Sequence, residues 1–394
     1  MRRLLILASL LAAASAMPAA AFEAVREAAR GQTVYFNAWG GSTQINDYIA
    51  WVGDEVDERF SIELVHVKLT DTSEAVARVL AEKAAGRTAG GSVDLVWLNG
   101  ENFLAMKEND LLFGPFAFDL PNFELVDTEG KPTTLVDFNT PTDGYESPWG
   151  MAQFVMIHDS AAVPVPPTDL DALAEWALAN PGRFTFPSPP DFIGATFLKH
   201  VLHQSVADPA VLAAPPGPDA TAALAPVWAW LDALQPHLWR GGEAFPASGP
   251  QLHQLFEDGE VDLTMAFNPA EASSLVLDGR FPETTRSYTL VDGSIGNTHF
   301  VAIPFNSDST AAAQVVADFL LSPEAQARKQ DPAHWGDVTV LDLDQLDTEN
   351  RELFAALDLH PATLPPDQLG RTLLEPHGEW MILIAEGWRQ RYGS

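Results

Sequence analysis

Residues 33–47 read TVYFNAWGGSTQIND, and the order of the parts in this stretch decides the fold. Thr33 to Trp39 is an apolar run rich in β-branched and aromatic residues, the composition of a strand. Gly40 and Gly41 end it, Ser42 and Thr43 offer caps, and Ile45, Tyr48, Ile49 and Val52 then recur near helical spacing over residues 44–59. The same order repeats downstream. Residues 62–69 (IELVHVKL) form a second strand pattern, and Asp71-Thr72-Ser73-Glu74 has the spacing of a capping box. A helix bearing Val76, Val79 and Leu80 follows, then a strand at 93–98 (VDLVWL), then a short helix from about Glu101. Strand–helix–strand–helix–strand predicts a parallel sheet with right-handed crossovers. Strands this continuously apolar are buried on both faces.

In open parallel sheets ligands bind beyond the carboxyl ends of the strands, against helix N-termini. The loops at those ends are Trp39-Gly40-Gly41-Ser42, Thr70-Asp71-Thr72 and Asn99-Gly100-Glu101-Asn102. The glycines let the backbone approach a ligand closely, and the helix that follows offers free N–H groups. The first loop matches neither the Walker spacing nor G-x-G-x-x-G. Alone it reads equally well as a capped turn; two such loops at neighbouring strand ends favour a pocket. Tyr145 and Trp149, in a stretch stiffened by Pro148 and freed by Gly150, precede a long apolar run toward a second half. There Phe192-Ile193-Gly194 opens a helix, and Asn268 closes a strand ahead of another. Asn297 and Thr298 are lesser candidates on the strand that returns.

Further helical patterns occupy 169–178, 195–204, 220–234, 309–321 and 378–391, and strand patterns 184–186, 261–267 and 299–303. A chain of 394 residues is too long for one compact core, and two domains is the expectation. Arg2, Arg3, the apolar residues 4–16 and Ala19-Ala20-Ala21 have the form of a secretory signal peptide, 1–21. The absence of cysteine excludes disulfides, thiolate metal sites, a cysteine nucleophile and a lipid anchor on such a residue. With 22 basic against 54 acidic residues, the net charge of −32 repels nucleic acid and anionic lipid. Solubility accounts for that charge; attraction of a cationic ligand is the sharper alternative. Catalytic patterns are missing. Gly293-Ser294-Ile295-Gly296 lacks the nucleophile-elbow spacing, His200 and His203 lack the H-E-x-x-H frame, and His253 with Glu257 reads as a solvated helix pair. No catalytic residue, metal site or cofactor is expected.

The chain resembles the bacterial extracellular solute-binding proteins of ABC importers (family 1), and more closely their YnjB-type subgroup. The residues that carry the likeness are VYFNAWGGS, VDLVWLNGENF, ESPWGMAQFVM, DLTMAFNPAEAS, HFVAIPFNS, FLLSPEAQARK and HWGDVTVLDLDQL, which span the chain after the signal peptide. The resemblance implies an α/β, two-lobed, type II periplasmic binding fold. Each lobe would be a mostly parallel sheet flanked by helices, with the ligand cleft between lobes. Lobe 1 would comprise 22–148 and 298–335, and lobe 2 149–297 and 336–394. It implies a monomeric, unanchored periplasmic protein that captures a small polar solute and delivers it to permease subunits in the inner membrane, without membrane insertion. Carried onto this chain, the pocket is Trp39, Gly40, Gly41, Ser42, Asn99, Gly100, Glu101, Tyr145, Trp149, Phe192, Gly194 and Asn268. The solute stays open. A phosphate or phosphonate suits Gly40 to Thr43, whereas a thiamine-like or quaternary cation suits Trp39, Trp149 and Glu146. Five tyrosines with no adjacent pair disfavour ferric ion. The alternatives are a secreted two-lobed hydrolase and a chemosensory ligand-binding protein.

Overall fold

The computed structural model describes residues 19–364 and 368–393. Arg2, Arg3 and the apolar run 4–16 of the expected signal peptide lie outside them. Residues Ala19–Ala29 form helix α1, which seats Phe22 in the core and packs on a later helix.

The opening units fold as their periods dictate. Strand β1 (Thr33–Trp39) leads into α2 (Thr43–Phe60), β2 (Glu63–Leu69) into α3 (Ser73–Ala84), and β3 (Leu95–Leu98) into α4 (Glu101–Glu108). β2, β1 and β3 are neighbours and parallel. Val34, Phe36 and Ala38 on one face of β1 join a core with Ile45, Tyr48, Ile49 and Val52 of α2. The opposite face of the sheet is covered by a smaller core containing Val76 and Val79 of α3 and Phe103 and Met106 of α4. The Asp71–Glu74 cap is made: Glu74 Oε1 accepts the Thr70 and Asp71 N–H groups at 3.3 and 3.1 Å.

Two short strands, β4 (Val136–Asp137) and β5 (Thr140–Pro141), precede the first crossing. The run after Tyr145 is two strands, β6 (Glu146–Gln153) and β7 (Val155–Asp159). Trp149 lies in the first core, and Phe154 and Val155 lie in a second. That second core gathers α5 (Leu170–Ala179), α6 (Phe192–Ser205), α7 (Ala220–Leu234), α8 (Gly249–Glu257), β8 (Leu263–Ala266), α9 (Glu271–Leu277) and β9 (Thr285–Tyr288). Strand β10 (Ser294–Ala302) returns: Ile295 is in the second core and Val301 in the first. β10 runs antiparallel between β3 and β6. Helices α10 (Thr310–Leu320), α11 (Pro323–Gln330) and α12 (Thr348–Ala355) complete lobe 1. β11 (Thr372–Leu373) pairs with β10, and α13 (Gly378–Tyr392) places Trp380, Ile384 and Trp388 in the second core.

Three readings change. The second-lobe sheet, ordered β8-β7-β9, is antiparallel throughout rather than mostly parallel. A strand buried on both faces carries no alternation that encodes direction. Residues 184–186 form no strand, although Phe184 and Phe186 are fully buried in the second core. The lobe boundary expected at 336 is also displaced. Val340, Leu341, Leu346 and Phe354 sit in the first core and Ala362 in the second, so the third crossing falls between 355 and 362.

Candidate functional site

The strand-end loops of lobe 1 face elements of lobe 2. In the first loop, Gly40 N–H donates to Leu69 O at 3.0 Å, and Asn46 Nδ2 donates to Gly40 O at 3.1 Å. The half-buried Trp39 ring folds over Gly41, where any Cβ would overlap it. Ser42 is the N-cap of α2, its Oγ accepting the Ile45 N–H at 3.5 Å. Gln44, the second residue of α2, reaches lobe 2: its Nε2 donates to Asp278 Oδ2 at 2.6 Å.

The third loop is built differently. Asn99 O accepts the Asn102 N–H at 3.2 Å. Gly100 adopts φ +58°, a conformation that favours glycine, and a Cβ there would collide with the Phe138 ring. That geometry aims its N–H at Asp137 Oδ2, 2.7 Å away. Glu101 opens α4 with its backbone close against Gly378, the first residue of α13.

Around Asp137 lies an acidic nest that the loop reading did not contain. Lobe 1 contributes Glu101, Asp137 and Glu146, and lobe 2 contributes Glu375 with Lys199 of α6. Lys199 Nζ donates to Glu375 Oε2 at 2.7 Å and sits 4.8 Å from the Phe138 ring centroid and 5.3 Å from that of Phe192. Asn139 Nδ2 crosses between the lobes to Glu375 O at 2.6 Å. Burial, reinforced by Glu101 and Glu375 against the Gly100 hydrogen bond, pushes the Asp137 carboxyl up to about 8. Burial and then Asp137 lift Glu146 well above the carboxylate range, and burial raises Glu101 and Glu375. Glu146 is 1% exposed, and neither of its carboxylate oxygens has a hydrogen-bond partner among the described residues.

Trp149 belongs to a second cluster beneath the cleft. It is 0% exposed, its ring edge-on to Trp97 at 5.2 Å and to Trp335 at 5.3 Å. The Lys329 ammonium lies 4.0 and 4.1 Å from the centroids of Trp149 and Trp335. It pairs with Asp337, which also meets His299 Nδ1 at 3.1 Å. Burial brings Lys329 down to about 8. Burial alone would raise Asp337, but His299 and Lys329 outweigh it and hold the carboxyl below its usual value. A Cβ at Gly150 would overlap both the Lys329 ammonium and the Asp337 carboxylate, so glycine here makes room for the ion pair. The aromatic cage is thus filled by a lysine of the chain itself.

The other predicted residues divide between the two lobes' walls. Phe192 packs edge-on to Phe267 at 4.9 Å. Gly194 lies where any Cβ would overlap the Pro187 carbonyl, and Asp191 Oδ1 caps this helix start through the Ile193 and Gly194 N–H groups at 3.0 and 3.1 Å. Asn268 Nδ2 donates to Trp335 O at 2.9 Å, tying lobe 2 to the Trp cluster. Tyr145 is set apart, partly buried against the smaller core of lobe 1. A hollow of about 450 Å³ flanks the junction at Leu277, residues 331–333 and 356–361, and none of the predicted residues lines it.

The structure therefore gathers Gly100, Glu101 and Phe192 around the acidic nest, and Trp149 and Asn268 around the Trp cluster. Asp137, Glu375, Lys199, Lys329 and Asp337 escaped the sequence reading because they lie far apart in the chain and fit no spaced motif. FLLSPEAQARK, which ends at Lys329, and HWGDV at 334–338, which holds Asp337, were the visible signals. The histidines are occupied: His200 Nε2 accepts the Ile295 N–H at 2.9 Å, so Nδ1 carries the proton it gives to Thr196 O at 2.9 Å. Burial drives its pKa down to about 3.

Comparison with known proteins follows the same lines. Residues 51–334 match the family model described as bacterial extracellular solute-binding protein. The chain is 46% identical to Protein YnjB of Escherichia coli (strain K12) over 375 residues, covering 95% of this chain and 94% of that one. Among solved structures, the TpPotD lipoprotein of Treponema pallidum superposes with a TM-score of 0.64 at 14% identity, covering 91% of this chain and 98% of that one. The periplasmic binding protein AfuA of Actinobacillus pleuropneumoniae, with fructose-6-phosphate bound, gives 0.63 at 11% identity over 91% and 98%. The spermidine/putrescine ABC transporter substrate-binding protein PotD of Streptococcus pneumoniae gives 0.60 at 16% identity over 91% and 99%.

Proposed function

This chain belongs to the bacterial extracellular solute-binding proteins, and from that premise we propose that it is the periplasmic capture component of an ABC-type importer. It holds a small polar solute where its lobes meet and hands it to permease subunits in the inner membrane. The supporting observation is that the lobes engage one another through the strand-end loops, by Gln44 with Asp278, Asn139 with Glu375 and Asn268 with Trp335. A solute bound between such surfaces touches both lobes only when they close, which gives it the differential affinity that moves the equilibrium. No bond in the solute need be made or broken. Among the described residues, no helix is long and apolar enough to cross a membrane.

The fold does not select the solute, since one neighbour is described with a sugar phosphate and another as a spermidine/putrescine binder. A thermal-shift screen against a broad metabolite library tests the reading. A true solute at a hundred times its Kd raises stability by about 2.7 kcal/mol. A library that shifts nothing, or turnover of a compound that does bind, overturns it.

A further inference from the structure

We propose that the solute carries a cationic nitrogen bearing N–H groups, an alkylammonium or guanidinium, and that Glu146, Asp137, Glu101 and Glu375 receive it between the lobes. The inference rests on the solute-binding reading above and names the chemistry of that site.

Hydrogen-bond capacity is the first argument. Of the oxygens in the nest, Asp137 Oδ2 is taken by the Gly100 N–H and Glu375 Oε2 by Lys199. Asp137 Oδ1, both oxygens of Glu146 and Glu375 Oε1 are buried and have no partner among the described residues. An unpaired buried polar atom is destabilising, and more so when it is charged. Four within one neighbourhood is a cost that packing does not repay. Once ionised all four are acceptors, so the partner that would draw the protons off these carboxyls is a cationic donor. A quaternary ammonium has no N–H to give, whereas an alkylammonium has three and a guanidinium five.

Charge is the second argument. The buried Lys199 acts on Glu101 and Glu375, whereas the cation acting on Glu146 is Lys107, which is engaged with Asp143 at 2.7 Å. Among the described residues no three acidic or histidine side chains come together closely enough to hold a metal ion. The spread suits an organic cation with several donors. Phe138 and Phe192 already face an ammonium, that of Lys199, which shows that the surroundings of the nest accommodate one.

The third argument is topological. Glu101, Asp137 and Glu146 belong to lobe 1 and Glu375 to lobe 2, so a cation held among them touches both lobes. It meets all four only when the lobes are together, and so favours closure.

The test is to identify by mass spectrometry the solute released from gently purified protein, then to titrate it into wild type and Glu146→Gln. The expected result is an N–H-bearing organic cation whose affinity falls at least tenfold in the variant, with the thermal midpoint of the unliganded protein kept or raised. Asp137→Asn serves in the same way if Glu146→Gln does not fold. For a calibrated probe, 1,4-diaminobutane should compete with the released solute and 1,4-butanediol should not. An anionic or uncharged solute overturns this inference and leaves the solute-binding function standing. So does a cation bound equally well by the folded variants. A protein that releases nothing and is stabilised by no library compound overturns both.

Discussion

Asp137 shows how one side chain can tie the site to the stability of the molecule. Its carboxyl is wholly buried and pushed up to about 8, far above its value in an unfolded chain. A group raised in the folded state contributes stability that is fully present below the unfolded pKa and is lost as pH rises through the folded one. For Asp137 the loss therefore runs from about pH 4 to about pH 8, and Glu101, Glu146 and Glu375 add to it in the same direction. Urea unfolding from pH 5 to pH 8 should show falling stability. Asp137→Asn should flatten that fall by up to about 1.4 kcal/mol per pH unit, the limit for one proton. Parallel profiles for wild type and variant would mean that Asp137 ionises normally. None of this was legible in the sequence, because an Asp reveals its burial only through the chain that surrounds it. Trp149 makes the converse point. The hinge-like ESPWG stretch was visible, but it stays with the first core, the chain reaches the second only after Met151, and the indole turns inward onto a lysine 180 residues away in the chain.

At the scale of elements, local chemistry was readable wherever it was self-contained. The Asp71–Glu74 cap and the α7 pattern both form as read. Ser42 is a harder case, because a loop serine before a helix serves equally well as cap or as ligand donor. In the structure its Oγ caps Ile45 and donates to Gln44 Oε1 at 3.1 Å, so its bonding capacity is turned to α2. Ser42→Ala should cost about 1 kcal/mol of stability, as loss of an N-cap does, and leave solute affinity within about twofold. A tenfold loss of affinity with unchanged stability would return Ser42 to the pocket. Strand direction was readable in lobe 1, where helices separate the strands, but not in lobe 2. β7, β8 and β9 are buried on both faces, and their antiparallel pairing is set by the connections around them.

The two-lobed plan was legible because it follows from length, from two sets of α/β units and from the apolar runs that join them; the last crossing was not, because residues 336–355 carry apolar positions that either core could take. How the lobes meet is a property of the whole molecule, and Gln44 is the place to probe it. Its amide links the start of α2 in lobe 1 to Asp278 at the end of α9 in lobe 2. One such bond to a charged partner contributes about 1.5–3 kcal/mol net. Because it exists only when the lobes are together, its loss acts on the closure equilibrium rather than on either core. Asp278→Ala should therefore leave unfolding by urea within about 0.5 kcal/mol, since the residue lies at the surface. It should weaken solute binding by about ten- to a hundredfold, the same free energy read through the fraction of closed molecules. The absence of cysteine makes this directly measurable. Glu58→Cys on α2 and Glu175→Cys on α5, both exposed, accept a donor and acceptor dye without competing thiols. Energy transfer at subsaturating solute should be lower in the Asp278→Ala background and should recover when solute is raised in proportion to the lost affinity. Transfer that stays low at saturation would show that Gln44 and Asp278 fix the geometry of the closed lobes. Transfer and affinity that both match wild type would remove this contact from the closure mechanism and leave Asn139 with Glu375 and Asn268 with Trp335 as the bonds that hold the lobes together.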